Sequence, residues 1–168
     1  MNDDFRFSPN LKTLLFLLLA AITILYGCNQ AGHQNGKANL LVENSGLRVE
    51  DVHAELNRQR LTAAEVPADA VLSLVIKDIK GLKMINGKFR LGAEITVTDQ
   101  NQQVIVHYPD IFASYDSTGL DPSEAGTLTI PISTGAPLLP GGRYRWKCRL
   151  WDKYGQGVMT TEEVIHIR

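Results

Sequence analysis

The chain has 168 residues, of which 21% are charged, and a formal net charge of -1. That balance excludes a disordered polyelectrolyte and a nucleic-acid binder held by general basicity. Nothing in the overall charge points to an anionic membrane surface, and the length suits one domain rather than two.

In chain order, Arg6 and Lys12 precede an uncharged apolar run from Thr13 to Leu25. A basic start, an apolar middle and a small residue before a break form the layout of a secretory signal. The run is shorter than the roughly 20 residues that a helix needs to cross a bilayer. It ends in Leu25-Tyr26-Gly27-Cys28. Here the chain resembles bacterial lipoproteins, whose signals end in an aliphatic residue, two mostly small residues and an invariant cysteine. Leu25, Gly27 and Cys28 match that pattern, whereas Tyr26 stands where a small residue is usual. The resemblance implies cleavage before Cys28, a diacylglyceryl group on its sulfur, and a membrane as a partner. Each buried methylene contributes about 0.8 kcal/mol, so several acyl chains make a lasting anchor. Asn29 follows the cysteine in place of Asp. By resemblance to lipoprotein sorting in enteric bacteria, that favours the outer membrane or cell surface.

Residues 1–27 are therefore read as a signal peptide, 28–39 as a flexible tether and 40–168 as the folded domain. The tether is polar and lacks an apolar period, so it has too little surface to bury. With Cys28 acylated, Cys148 has no intramolecular partner, and the core holds without a disulfide.

Within the domain, short apolar runs recur between turn signals. The stretch from Leu47 to Leu56 fits a strand or a helical stripe, and the strand is favoured. Val71 to Ile76 is β-branched and aliphatic. Ala93, Ile95 and Val97 alternate with Glu94, Thr96 and Thr98, and Asp99 to Gln102 reads as a hairpin turn returning through Val104 to Val106. Thr127 to Ile132 alternates again, and Pro131 places it at an edge or a strand end.

Arg143 to Trp151 is the clearest strand. Tyr144, Trp146, Cys148 and Leu150 form one row and Arg143, Arg145, Lys147 and Arg149 the other, the first for a core and the second for water. Asp152 to Gly155 closes a hairpin onto Val158–Ile167, with Gly155 expected to supply a positive φ and Lys147 expected opposite Glu162. The expectation is an all-β, antiparallel sandwich of about seven strands.

Leu139-Pro140-Gly141-Gly142-Arg143-Tyr144 resembles the approach to the penultimate strand of immunoglobulin-like and fibronectin-type-III-like domains. In those domains a Tyr after a Pro-Gly turn bonds back to the backbone, and Tyr144 is the matching position. The resemblance implies an immunoglobulin-like sandwich, although no paired Cys-Trp-Cys pattern accompanies it.

Chemical motifs are sparse. His33, His53, His107 and His166 lack metal-ligand spacing and read as solvated or edge-strand imidazoles. Asp110, Asp116, Asp121 and Glu124 flank a loop that offers oxygens to calcium or carboxylates to a hydrolase, or is simply rich in turn residues. No nucleophile elbow, phosphate loop or dinucleotide fingerprint is present, so neither catalysis nor a metal or other cofactor is expected. The cationic row of Arg143, Arg145, Lys147 and Arg149, with Trp151 beside it, suits an acidic partner or polysaccharide. It also suits a solvated outer face. Tyr108, Phe112 and Tyr115 offer a second aromatic patch.

The reading reached from sequence is a lipid-anchored cell-envelope protein that binds envelope proteins or glycans without catalysis and without nucleic acid. A structural component of an envelope complex and a hydrolase with loop carboxylates are the alternatives.

Overall fold

The structure, a computed structural model, describes residues 40–168. The expected signal peptide, the tether and Cys28 lie outside the described residues. Ten strands follow in chain order: β1 (Leu41–Ser45), β2 (Asp51–Leu56), β3 (Gln59–Arg60), β4 (Glu65–Val66), β5 (Val71–Lys77), β6 (Leu91–Asp99), β7 (Val104–Tyr108), β8 (Thr127–Ser133), β9 (Arg143–Asp152) and β10 (Val158–Ile167). Two short 3₁₀ turns, Ala113–Tyr115 and Pro122–Ala125, separate β7 from β8.

The strands form two sheets. The larger runs β1-β10-β9-β6-β7, and the smaller runs β3-β2-β5-β8. Alternation dictates which side of each sheet is dry. Ala93, Ile95 and Val97 of β6, and Tyr144, Trp146, Cys148 and Leu150 of β9, face Leu72, Leu74 and Ile76 of β5 and Ile130 and Ile132 of β8 in one core. An all-β sandwich is thus the observed fold, as the periods of two imply.

The strand count differs from seven because β1 and the two-residue β3 and β4 were not expected as strands. β1 reads Leu-Val-Glu-Asn-Ser and buries only Val42, a signal too thin for a sequence pattern to carry. β4 also departs from the all-antiparallel expectation, pairing parallel with β10 through His166↔Glu65 and Ile167↔Val66. It continues the edge that β1 leaves free, since β1 pairs with only Val158 to Glu162.

Several expectations are met in detail. β2 is a strand paired with β5, and β8, which contains Pro131, lies at a sheet edge. There the missing N–H of proline costs no ladder bond. The Asp99 carboxylate accepts hydrogen bonds from the Asn101 and Gln103 N–H groups, closing the β6–β7 turn. At the approach to β9, the Leu139 N–H donates to the Tyr144 hydroxyl at 2.8 Å. This is the corner bond expected of Tyr144.

The β9–β10 hairpin has the expected register, with Lys147 opposite Glu162, but a different loop. Residues 153–157 make the connection, and Gly155 is not in the left-handed region. Its role is room: a Cβ there would collide with the Asp152 carboxylate. Asp152 is 3% exposed and accepts from the Lys83 and Tyr154 N–H groups, so its oxygens fill the space beside Gly155.

Candidate binding face

The outer side of the larger sheet carries the cationic row. Successive outward residues of β9 stand roughly 7 Å apart, because each residue advances about 3.4 Å and alternate ones share a face. Arg143, Arg145, Lys147 and Arg149 are all exposed on it. The register sets their neighbours. Arg149 lies between Glu94 of β6 and Thr160 of β10, and Lys147 between Thr96 and Glu162. Glu162 sits opposite Lys147, yet its carboxylate pairs with Arg145. Glu94 is held by His107 Nε2 at 3.0 Å.

Trp151 ends this row and is half-buried. Its partner across the ladder is Gly92. A Cβ on Gly92 would run into the indole ring, so the ring lies down across the backbone of β6. The Arg149 guanidinium stands 5.2 Å from the ring centroid, within cation–π range. The sheet thus presents a flat aromatic surface flanked by a cation, with a ladder of cations leading away from it. Sequence reading chose Trp151, Arg145, Lys147 and Arg149 but missed Gly92. A glycine inside a strand, where it weakens the ladder unless something approaches closely, was the available signal.

The remaining candidates have other roles. His53 is 7% exposed and so not solvated, but it holds the edge-strand place that was the other expectation, since β3 pairs only with Glu55 and Leu56. It sits on the outer side of β2, where Asp51 Oδ2 approaches Nδ1 at 2.8 Å and Glu55 Oε1 approaches Nε2 at 2.9 Å. Arg60 of the adjacent β3 covers the cluster and bonds Asp51 at 2.5 Å. Burial pushes the Asp51 carboxyl up, but the Arg60 hydrogen bond and the charges of His53 and Arg60 outweigh it, leaving it below its ordinary value. His107 and His166 are exposed, and His33 lies outside the described residues.

The acidic loop is occupied by protein partners. Lys153 pairs with Asp110 at 2.5 Å and with Asp116. Asp121 pairs with Lys88 at 2.7 Å, and Glu124 accepts from the Asp121 N–H. Among the described residues no group of three or more metal-ligating side chains converges. Tyr108 and Tyr115 are exposed, whereas Phe112 is partly buried against the core. A cleft of about 310 Å³ opens between the edge strands β7 and β8, lined by Ile95, Val106, Tyr108, Ile132, Pro137 and Leu138 among others. None of the four loop carboxylates lines it.

Cys148 points into the core, and burial, with a smaller effect from the Glu94 charge, pushes its thiol up to about 12. Glu163, 1% exposed, is a buried carboxylate on β10 opposite Trp146.

No protein-family model matches the chain, and no curated protein matches it in sequence. Among solved structures, the C-terminal domain of wzt superposes with a TM-score of 0.52 at 10% identity, over 83% of this chain and 85% of that one. The likeness is one of fold, a β-rich domain.

Proposed function

We propose that the chain is a non-catalytic binding module of the bacterial cell envelope, held to a membrane by lipid on Cys28, that takes acidic glycans on the outer face of its larger sheet. The observation that carries the reading is the seating of Trp151 over Gly92 with Arg149 at its rim. A flat, partly desolvated indole offers the apolar face of a sugar ring a surface at little entropic cost. Arg149, Lys147 and Arg143 supply donors for carboxylates along the same line, and guanidinium groups take them in a bidentate fork. The leader ending at Cys28 supports the envelope address by its resemblance to lipoprotein signals.

The test uses the full chain and alginate, an acidic uronate polymer, with neutral dextran as the control. Trp151→Ala is expected to lose alginate binding while the unfolding midpoint stays near that of the parent. If the variant binds alginate as the parent does, the face is wrongly assigned. If it unfolds, Trp151 is a core residue and the reading fails as well.

A further inference from the structure

A second surface lies between β5 and β6. Residues 84–88 form a tight hairpin, with Ile85 and Lys88 exchanging both backbone hydrogen bonds. Asn86 and Gly87 at its tip have φ values of 53° and 73°. Two successive left-handed residues are the signature of a type I′ turn, the two-residue loop that suits strand twist. The base is pinned on three sides. Lys80 exchanges two backbone hydrogen bonds with Arg48, the Lys83 N–H donates to buried Asp152, and Phe89 exchanges two with Leu120. Beyond that base the tip projects into open space: a Cβ on Gly87 would meet nothing within 4 Å.

This rigid tip exposes two large apolar side chains, Met84 at 50% and Ile85 at 40%. Lysines flank them in sequence. The segment from Ile79 to Arg90 contains Lys80, Lys83, Lys88 and Arg90 and no carboxylate. Lys80 and Lys83 are exposed and make no ion pair among the described residues. The chain as a whole has no cationic excess, but residues 79–90 carry four cations and no anion of their own, with Lys88 paired to Asp121.

We infer that the hairpin at Met84–Lys88 is a membrane-docking finger, in which Met84 and Ile85 enter the headgroup–acyl boundary of a bilayer while Lys80 and Lys83 engage anionic phospholipid headgroups. The chemistry is that of interfacial binding, where apolar burial and attraction to anionic lipid add. Lysine stems lie along the apolar layer while their ammonium groups stay at the headgroups. A preformed turn spends little ordering entropy on docking. The inference rests on the membrane tether at Cys28, and it fixes which end of the tethered domain meets the bilayer.

The experiment uses the mature chain, beginning at acylated Cys28, in vesicles of phosphatidylcholine with phosphatidylglycerol, and in phosphatidylcholine alone. An environment-sensitive fluorophore is placed by Asn86→Cys, with Asn101→Cys on the β6–β7 turn as the control. Buried Cys148 does not compete for the label, and the lipid on Cys28 blocks the other thiol. The label at position 86 is expected to be quenched by lipid-borne quenchers in anionic vesicles, and the label at position 101 is not. Adding Met84→Ser and Ile85→Ser should lower the docked-to-undocked ratio about ten-fold, the size expected when two half-exposed apolar side chains lose their burial. High salt and Lys83→Glu should lower it as well. If the chain floats with the vesicles while position 86 stays in water, the docking finger is wrong and the anchor stands. If the chain floats with neither vesicle, both fall. Shielding that appears only when other envelope proteins are added makes the tip a protein contact and overturns the proposal.

Discussion

The indole of Trp151 lies across Gly92, the residue directly opposite it on β6, and no larger residue fits beneath the ring. Position 92 therefore controls the seating of Trp151 without itself presenting a side chain. Gly92→Ala is expected to lift or tilt the ring, costing about 1–3 kcal/mol of stability as overpacking does. It is also expected to weaken alginate binding about as much as Trp151→Ala. Urea unfolding beside a binding titration checks both. A Gly92→Ala chain that is destabilised yet binds like the parent separates the platform from recognition.

Tyr144 is 6% exposed and ties the entry of β9 to Leu139 through one hydrogen bond at 2.8 Å. Tyr144→Phe keeps the buried ring and removes the acceptor, leaving the Leu139 N–H without it. A loss of about 1 kcal/mol is expected, read as a lower urea midpoint at unchanged slope. No loss would show that water replaces the phenol at that corner.

Lys153 clamps the loop after β7 to the β9–β10 hairpin through Asp110 and Asp116. Burial pushes the Asp110 carboxyl up, but the Lys153 hydrogen bond, backbone N–H donors from Phe112 and Ala93, and the Lys153 charge prevail and leave it below 3.8. A depressed acid stabilises the fold above its unfolded value and loses that contribution as pH falls through the folded one. Burial pulls the Lys153 ammonium down, but the hydrogen bonds and charges of Asp110 and Asp116 raise it above 10.5. A raised base stabilises the fold below its unfolded value and loses that contribution as pH rises through the folded one. The clamp should therefore be constant across neutral pH and fade only below 3.8 and above 10.5. Lys153→Met is expected to cost about 1–2 kcal/mol at pH 7, and its difference from the parent should shrink at both extremes. A difference that instead changes between pH 5 and 9 would mean that other groups govern the loop.

Cys148 is 2% exposed, and its thiol is pushed up to about 12. Because the thiolate is the reactive form, labelling should await unfolding. Native material purified from cells should therefore show no titratable thiol when Cys28 is acylated and one when it is bare. Thiol counts before and after urea, with intact mass, read the anchor directly. A reactive native thiol contradicts the lipidated state.

How much was legible depends on the strength of each local pattern. The strand from Arg143 to Trp151 was plain because its first eight residues, Arg143 to Leu150, alternate without a break. The Tyr144 corner followed from the Pro-Gly turn before it, whereas the register to β10 came out as expected although the turn chemistry assigned to Gly155 did not. Pro131 marked its edge because proline cannot donate. Other features lacked a local sign. His53 reads as polar, and only the pairing of β3 brings Arg60 over it. Glu163 sits in an inward row with Thr161 and Ile165, where a carboxylate contradicts the period. β3 and β4 are two-residue pairings made by tertiary contacts rather than by propensity. The finger at residues 84–88 did carry a sign, the Asn86-Gly87 dipeptide, which is a strong short-range hairpin signal. The platform under Trp151 needed the register between β6 and β9, because Gly92 and Trp151 are far apart in sequence and meet only across the ladder.

The most direct test of the binding face uses the two native tryptophans, Trp146 buried at 2% exposure and Trp151 half-buried on the outer face. Acrylamide quenching of the full chain should report Trp151 alone, and saturating alginate should protect that fraction while neutral dextran does not. Trp151→Phe should remove the protectable signal. A quenchable fraction that alginate leaves unchanged would contradict the account, as would protection that persists after Trp151→Phe.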